Sequence, residues 1–301
     1  MSKAESVKAR LKNLARIEKK PFDYLLNLYC IERLIYRLSI SRFSELFVLK
    51  GGMFLFTIME EKARATKDLD MLAKETNNSI ENLEGIFKEI VSIQVEDGVI
   101  FIQDISVSKI MEGADYDGIR VKIVALLNRT KVPVQVDIGF GDIVYPEIQT
   151  ISYPTLLTDD NIKVHAYSLE SLIAEKFDAM LTLAQANSRM KDFYDIYYLR
   201  SMYKFDGKTL LKAFKLTLNS RENFLEPYPV VFEDAFGQDR EKNIQWKAFL
   251  KRINNELELI FEEVIASNRD FLKPVYLAIL NSEDYCFSWD PIQAIWQNHH
   301  S

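Results

Sequence analysis

Three acids in this chain lie where acids are costly. In "RATKDLD" Asp68 and Asp70 flank Leu69, and in "VQVDIG" Asp137 stands between Val136 and Ile138. Residues two apart in a strand share a face, so Asp68 and Asp70 project together while Leu69 turns toward packing. Paired carboxylates repel, and burying them without a partner is unfavourable. A divalent cation removes both problems, and Mg²⁺ favours a few carboxylates, waters and substrate phosphates. If an adjacent strand brings Asp137 beside the pair, three acids can hold two Mg²⁺ roughly 4 Å apart. Such a centre activates an attacking hydroxyl and stabilises a leaving pyrophosphate.

The complementary part lies upstream, in "FVLKGG". Gly51 and Gly52, between a strand and a helix, let backbone N–H groups approach a phosphate, and a helix N-terminus favours its charge. Lys50 just before, and Arg64 and Thr66 just ahead of the acids, offer further donors to phosphate oxygens. Taken singly, Asp-x-Asp reads as an exposed loop pair, Gly-Gly as a turn, and Asp137 as a cap before Gly139. Their order and flanks together favour a phosphate and metal site.

The elements that must position these residues follow from periodicity. A basic first helix holds seven Lys or Arg in twenty residues and reads as a solvated amphipathic face, with a nucleic-acid contact as the lesser alternative. Pro21 separates it from a second helix with Leu25, Leu28, Ile31, Leu34, Ile35 and Leu38 at helical spacing. A strand over 47–49, a helix over 53–59, a strand over 68–72 and a Ser79-capped helix over 79–93 come next. From Gly98 to Ile138 the pattern is β, in "VIFIQDISVSKI", "IRVKIVALL" and "VPVQVDIGF", broken by Gly113, Gly118 and Pro133. "NIKVHAY" adds a strand. After Ser168 the chain reads as helix, up to a less regular tail at "SWDPIQAIWQNHH". The expected fold is α+β: a mixed sheet flanked by helices, then a mainly helical C-terminal half. Residues 1–155 form the expected catalytic domain and residues 156–301 the helical one, contributing Lys176, Asp192 and Asp195 to the cleft.

Composition narrows the class. The chain has 301 residues, 48% hydrophobic and 27% charged, as in a globular protein with a substantial core. No apolar run is long enough to span a bilayer, and "MSKAESVKARLKNLARIEKK" lacks the apolar centre of a secretory signal. Two cysteines, Cys30 and Cys286, imply neither a disulfide framework nor a zinc site. A cytoplasmic location is expected. The net charge of −6 argues against binding nucleic acid by bulk charge but leaves room for a local basic face.

Strand, Gly-Gly, helix, Asp-x-Asp and a lone Asp on a later strand resemble the nucleotidyltransferase superfamily of polymerase β type. More narrowly, the chain resembles the AbiEii/AbiGii toxin family, whose first motifs look like "FVLKGG" and "RATKDLD" and whose approach helix looks like "YCIERLIYRLSISRFSELF". A third motif is similar to "SLESLIAEKFDAML", centred on Lys176, and a fourth to "KDFYDIYYL", with Asp192 and Asp195. The resemblance runs from about Tyr29 to Leu199. It departs at Met53, where the superfamily often has Ser or Thr.

The later motifs also read physically. Lys176 shares the helix face of Leu172, Ile173, Phe177 and Met180, where a solvated lysine is unexpected. It either snorkels or binds a triphosphate or an acidic partner. Asp192 and Asp195, three apart, are helix neighbours. Tyr194, Tyr197 and Tyr198 read as packing residues.

The resemblance implies a Mg²⁺-dependent nucleotidyltransferase that uses an NTP, the toxin of a bacterial toxin–antitoxin or phage-defence pair. Asp68, Asp70 and Asp137 would hold metal, with Asp137 helping to deprotonate the acceptor. Gly51, Gly52, Lys50, Arg64, Thr66 and Lys176 would bind the nucleotide. The implied acceptor is RNA, notably a tRNA end, and the implied partner a cognate antitoxin. Alternatives are a small-molecule or protein acceptor, or a non-catalytic NTP-binding protein.

Overall fold

Strands of β-branched residues alternate with short helices along the first half of the chain, and the structure, a computed structural model, assembles them into one mixed sheet. It describes residues 2–59, 62–110, 118–158, 160–221, 225–254 and 258–298. The chain divides into two compact units. The first comprises Met1–Glu60, Ala65–Asp142 and Ile148–Tyr167, and the second Glu61–Arg64, Ile143–Glu147 and Ser168–Ser301.

In chain order the first unit holds α1 (Lys3–Ile17), α2 (Phe22–Ser39), β1 (Phe47–Lys50), α3 (Gly51–Met59), β2 (Asp68–Ala73) and α4 (Ile80–Ser92). There follow β3 (Val99–Phe101), β4 (Ser106–Lys109), β5 (Ile119–Leu127), β6 (Thr130–Phe140), β7 (Gln149–Tyr153) and β8 (Ile162–Ala166). The sheet runs β3-β5-β6-β2-β1-β8-β7, with β4 also on β5. β2 pairs parallel with β6, and β1 parallel with β8; the other pairs are antiparallel. Along β5 and β6 every second residue is buried: Ile119, Val121, Ile123, Val134, Val136 and Ile138 are each 2% exposed or less. The intervening residues, Arg120, Lys122, Gln135 and Asp137 among them, form the other face. α2, nearly all buried, packs on β6, β8, α1 and α4.

Two expectations are corrected here. "VIFIQDISVSKI" is two short strands, β3 and β4, both on β5. Pro133 does not break the sheet but lies inside β6, opposite Val124. A proline cannot donate to a ladder and tolerates only an open side. Pairing with β2 starts only at Gln135, so that side is open at Pro133. Gly118 does precede β5 directly, while Gly113 lies outside the described residues.

The second unit holds α5 (Leu169–Leu183), α6 (Met190–Met202), β9 (Phe205–Asp206), α7 (Gly207–Ser220), α8 (Asp234–Gln238), α9 (Arg240–Arg252), α10 (Phe261–Leu280), β10 (Phe287–Asp290) and β11 (Ile295–Asn298). Ser168 caps α5 through the Ser171 N–H, as its residue type predicts. Phe177, Phe193, Trp246, Phe261 and Tyr276, each 1% exposed or less, form an aromatic core. The tail is more regular than its sequence suggests: β10 and β11 form a hairpin, with β9 on the other edge of β10. Asp290 Oδ1 accepts from the Ile292 and Gln293 N–H groups and holds the turn. The Trp289 and Trp296 indoles donate to the carbonyls of Arg200 and Phe271.

Candidate active site

In the first unit β1 ends at Lys50 and α3 begins directly at Gly51, so the turn has no room for side chains. Gly51 has φ 59°, and a Cβ there would lie 2.1 Å from Asp70 Oδ2. A Cβ on Gly52 would lie 2.6 Å from the Thr66 hydroxyl oxygen. Both positions therefore demand glycine. The Gly52 N–H donates to Asp70 Oδ2 at 3.3 Å, so the turn and the first acids form one structure. Met53 is fully buried; the hydroxyl beside the glycine pair belongs to Thr66.

The strand register sets four charged residues in one row. Lys50 on β1 faces Asp70 on β2, Asp70 faces Asp137 on β6, and Asp137 faces Arg120 on β5. Residues opposite one another in a sheet share a face, so the row reads cation, acid, acid, cation across four strands. Asp68, two residues from Asp70, shares that face and is exposed. At one end Arg120 grips Asp137 with a forked pair, Nε to Oδ1 at 2.8 Å and Nη2 to Oδ2 at 2.9 Å. The Gln135 amide adds a bond to Oδ2 at 3.1 Å. At the other end the Lys50 amine lies 2.6 Å from Asp142 Oδ2 and 3.3 Å from the Tyr167 hydroxyl.

The donors available to an ion are hard carboxylate oxygens, the type that suits Mg²⁺. Among the described residues no three His, Cys, Asp or Glu side chains converge closely enough to hold a metal by themselves. Asp70 and Asp137, neighbours in register, suit the binding habit of an ion that takes one or two protein carboxylates and completes its shell with phosphate and water.

The remaining residues expected to act lie in the second unit, in a buried ion network. The Lys176 amine donates to Asp192 Oδ1 at 2.9 Å and Asp195 Oδ2 at 2.7 Å. Arg64 reaches Asp195 from Nε at 3.1 Å, and Arg189 reaches Asp192 at 2.7 Å. Burial alone would lower the Lys176 pKa, but Asp192 and Asp195 outweigh it and raise it above the usual lysine range. Burial would raise the Asp192 pKa; Lys176 and Arg189 instead hold it below the usual carboxylate range. Lys176 thus has acidic partners within the protein. Tyr194 and Tyr198 pack, their rings 4.6 Å apart.

Sequence reading did not single out Arg120, Asp142 or Tyr167. The one signal for Arg120 was its alternation with buried β-branched residues. Its place beside Asp137 depends on register.

The sequence matches the family described as AbiEii, "Nucleotidyl transferase AbiEii toxin, Type IV TA system", over residues 33–272. The chain belongs to this family. It is therefore a nucleotidyl transferase of the AbiEii type, with the mixed α+β fold that the resemblance implied. Two solved structures share that fold. One, a candidate nucleotidyltransferase from Helicobacter pylori, is 16% identical with a TM-score of 0.50, covering 87% of this chain and 98% of its own. The other, JHP933 from Helicobacter pylori, is 17% identical with a TM-score of 0.51, covering 86% and 94%. No curated protein matches the sequence.

Proposed function

We propose that this AbiEii-type transferase moves a nucleotidyl group from an NTP to a hydroxyl of RNA, a tRNA end foremost. It would act in the cytoplasm as the toxin of a toxin–antitoxin pair in phage defence, answered by a cognate antitoxin. In the reaction the acceptor oxygen bonds to the α-phosphorus, the α–β anhydride bond breaks, pyrophosphate leaves, and the hydroxyl proton is lost to a base. The observation that carries this reading is the row Lys50–Asp70–Asp137–Arg120 beside the Gly51-Gly52 turn. Acids at its centre and cations at its ends suit a metal-bound polyphosphate.

Asp68, Asp70 and Asp137 would hold the ion, which supplies Lewis-acid stabilisation of phosphate charge. Asp137 also orients the acceptor hydroxyl for loss of its proton. The N–H groups of Gly51 and Gly52 and the Thr66 hydroxyl receive phosphate oxygens, and Lys50 balances their charge. Lys176, with Asp192 and Asp195, fixes Arg64, which adds a guanidinium for phosphate. No helix among the described residues is long and apolar enough to cross a membrane.

The test incubates the protein with each labelled NTP, Mg²⁺ and total cellular RNA, beside Asp70→Asn. Label should enter RNA with the wild type and fall by about 100-fold or more with the variant, as when a main electrostatic stabiliser is lost. Equal labelling by both proteins would sink the proposal. Label found only in protein or small molecules would reassign the acceptor.

A further inference from the structure

The sheet of the first unit covers only one of its faces along β5 and β6. On the other face the exposed or half-buried residues run Arg120, Lys122, Val124 and Leu126 up β5, beside Asp137, Gln135, Pro133 and Lys131 on β6. Ile100 on β3, opposite Leu126, is 64% exposed. The serines of β4 opposite Arg120 and Lys122, Ser108 and Ser106, are exposed as well. Sheets normally hide such an apolar content.

Charge on this face is ordered. The acids, Asp70 and Asp137, stand at one end. Beyond them come Arg120, Lys122 and, at the far hairpin, Arg129 and Lys131, the last three fully exposed. The basic strip continues onto α1, where the Lys8 amine donates to the Thr130 hydroxyl at 2.9 Å. Seven residues of β6 separate Asp137 from Thr130, a span of roughly 23 Å at strand rise. In a chain of net charge −6, a positive strip beginning at the acids is a local feature, as phosphate-backbone recognition requires.

We infer that this open face is the track on which the acceptor strand lies, a single-stranded polynucleotide whose phosphates meet Lys122, Lys131 and Arg129 and whose 3′ end reaches Asp137. Val124, Leu126, Pro133 and Ile100 provide an apolar floor for its bases. A neutral small acceptor would have no use for cations so far along the sheet. An acidic protein could use the charges, but the strip starts at the acids that would act on a terminal hydroxyl. This inference rests on the reading of RNA as acceptor, and it deepens that reading by locating where the RNA lies.

The test separates binding from transfer. A fluorescein-labelled, 3′-blocked oligoribonucleotide is titrated by anisotropy against wild type, Lys122→Glu/Lys131→Glu, and the charge-matched control Lys247→Glu/Lys251→Glu, whose lysines are exposed on α9. The strip variant should bind about tenfold or more weakly, with a salt slope smaller by about 2, one per lost phosphate contact. In transfer assays it should raise KM for RNA while KM for NTP and the melting temperature stay at wild-type values. Equal RNA affinity in wild type and strip variant, or an equal loss in the control, overturns the inference. So does loss of an acidic protein partner with RNA binding intact. Should the wild type bind RNA through the strip yet label none, the transfer reading fails and the track stands.

Discussion

At Gly51 two constraints coincide. Its φ of 59° is one that side-chain-bearing residues rarely adopt, and the space a Cβ would occupy belongs to Asp70. Gly51→Ala should therefore cost about 1–3 kcal/mol of stability through strain and push Asp70 off its bond with the Gly52 N–H. We expect a lower melting temperature together with a raised KM for NTP. A variant with wild-type stability and wild-type KM would show that the turn and the acid are not coupled. The necessity of glycine here was half legible: "KGG" announces a turn, but the neighbour that forbids a side chain comes eighteen residues later.

Among the elements, α2 is unusual in burying charge along with its apolar face. Glu32 and Arg33 are each 1% exposed, their ion pair is 2.7 Å long, and Asp160 binds Arg33 from the loop after β7. Glu32 also accepts from the Leu156 N–H. Burial pushes the Glu32 carboxyl up to about 7, against the pull of Arg33. Since its folded value exceeds its unfolded value of 4.5, folding favours the protonated form. The contribution is complete below about pH 4.5 and is lost as pH rises through about 7. A shift of this size corresponds to about 3 kcal/mol at most. Denaturant titrations from pH 4.5 to 8 should show wild type losing stability over this window and Glu32→Gln losing markedly less. Identical pH profiles would remove Glu32 as the cause. The helix itself was plain from its apolar spacing; its buried charges were not, because their partners lie more than a hundred residues away.

For the whole molecule, the division into two units has a spectroscopic consequence. All three tryptophans, Trp246, Trp289 and Trp296, lie in the second unit, while each unit has its own core. Ile31, fully buried in α2, belongs to the first. Ile31→Ala should cost about 2–5 kcal/mol there. Unfolding followed by far-UV circular dichroism should then begin at lower denaturant, while the tryptophan transition keeps its wild-type midpoint. Coincident shifts of both probes would mean that the units unfold as one.

Sequence alone determined the class of fold and the identity of the acids, because strand alternation, helical spacing and side-chain chemistry are local. It also placed the glycine pair before a helix, since only backbone freedom and spacing are involved. Tertiary structure decided the rest. The row Lys50–Asp70–Asp137–Arg120 exists only because β1, β2, β6 and β5 are neighbours in one register, and a shift of one residue would turn any of its members to the opposite face. The partnership of Lys176 with Asp192 and Asp195 likewise depends on two helices packing side by side. So does the open face of β5 and β6 depend on the fold, for whether a half-apolar sheet surface is covered is settled by the elements packed around it and not by its own residues.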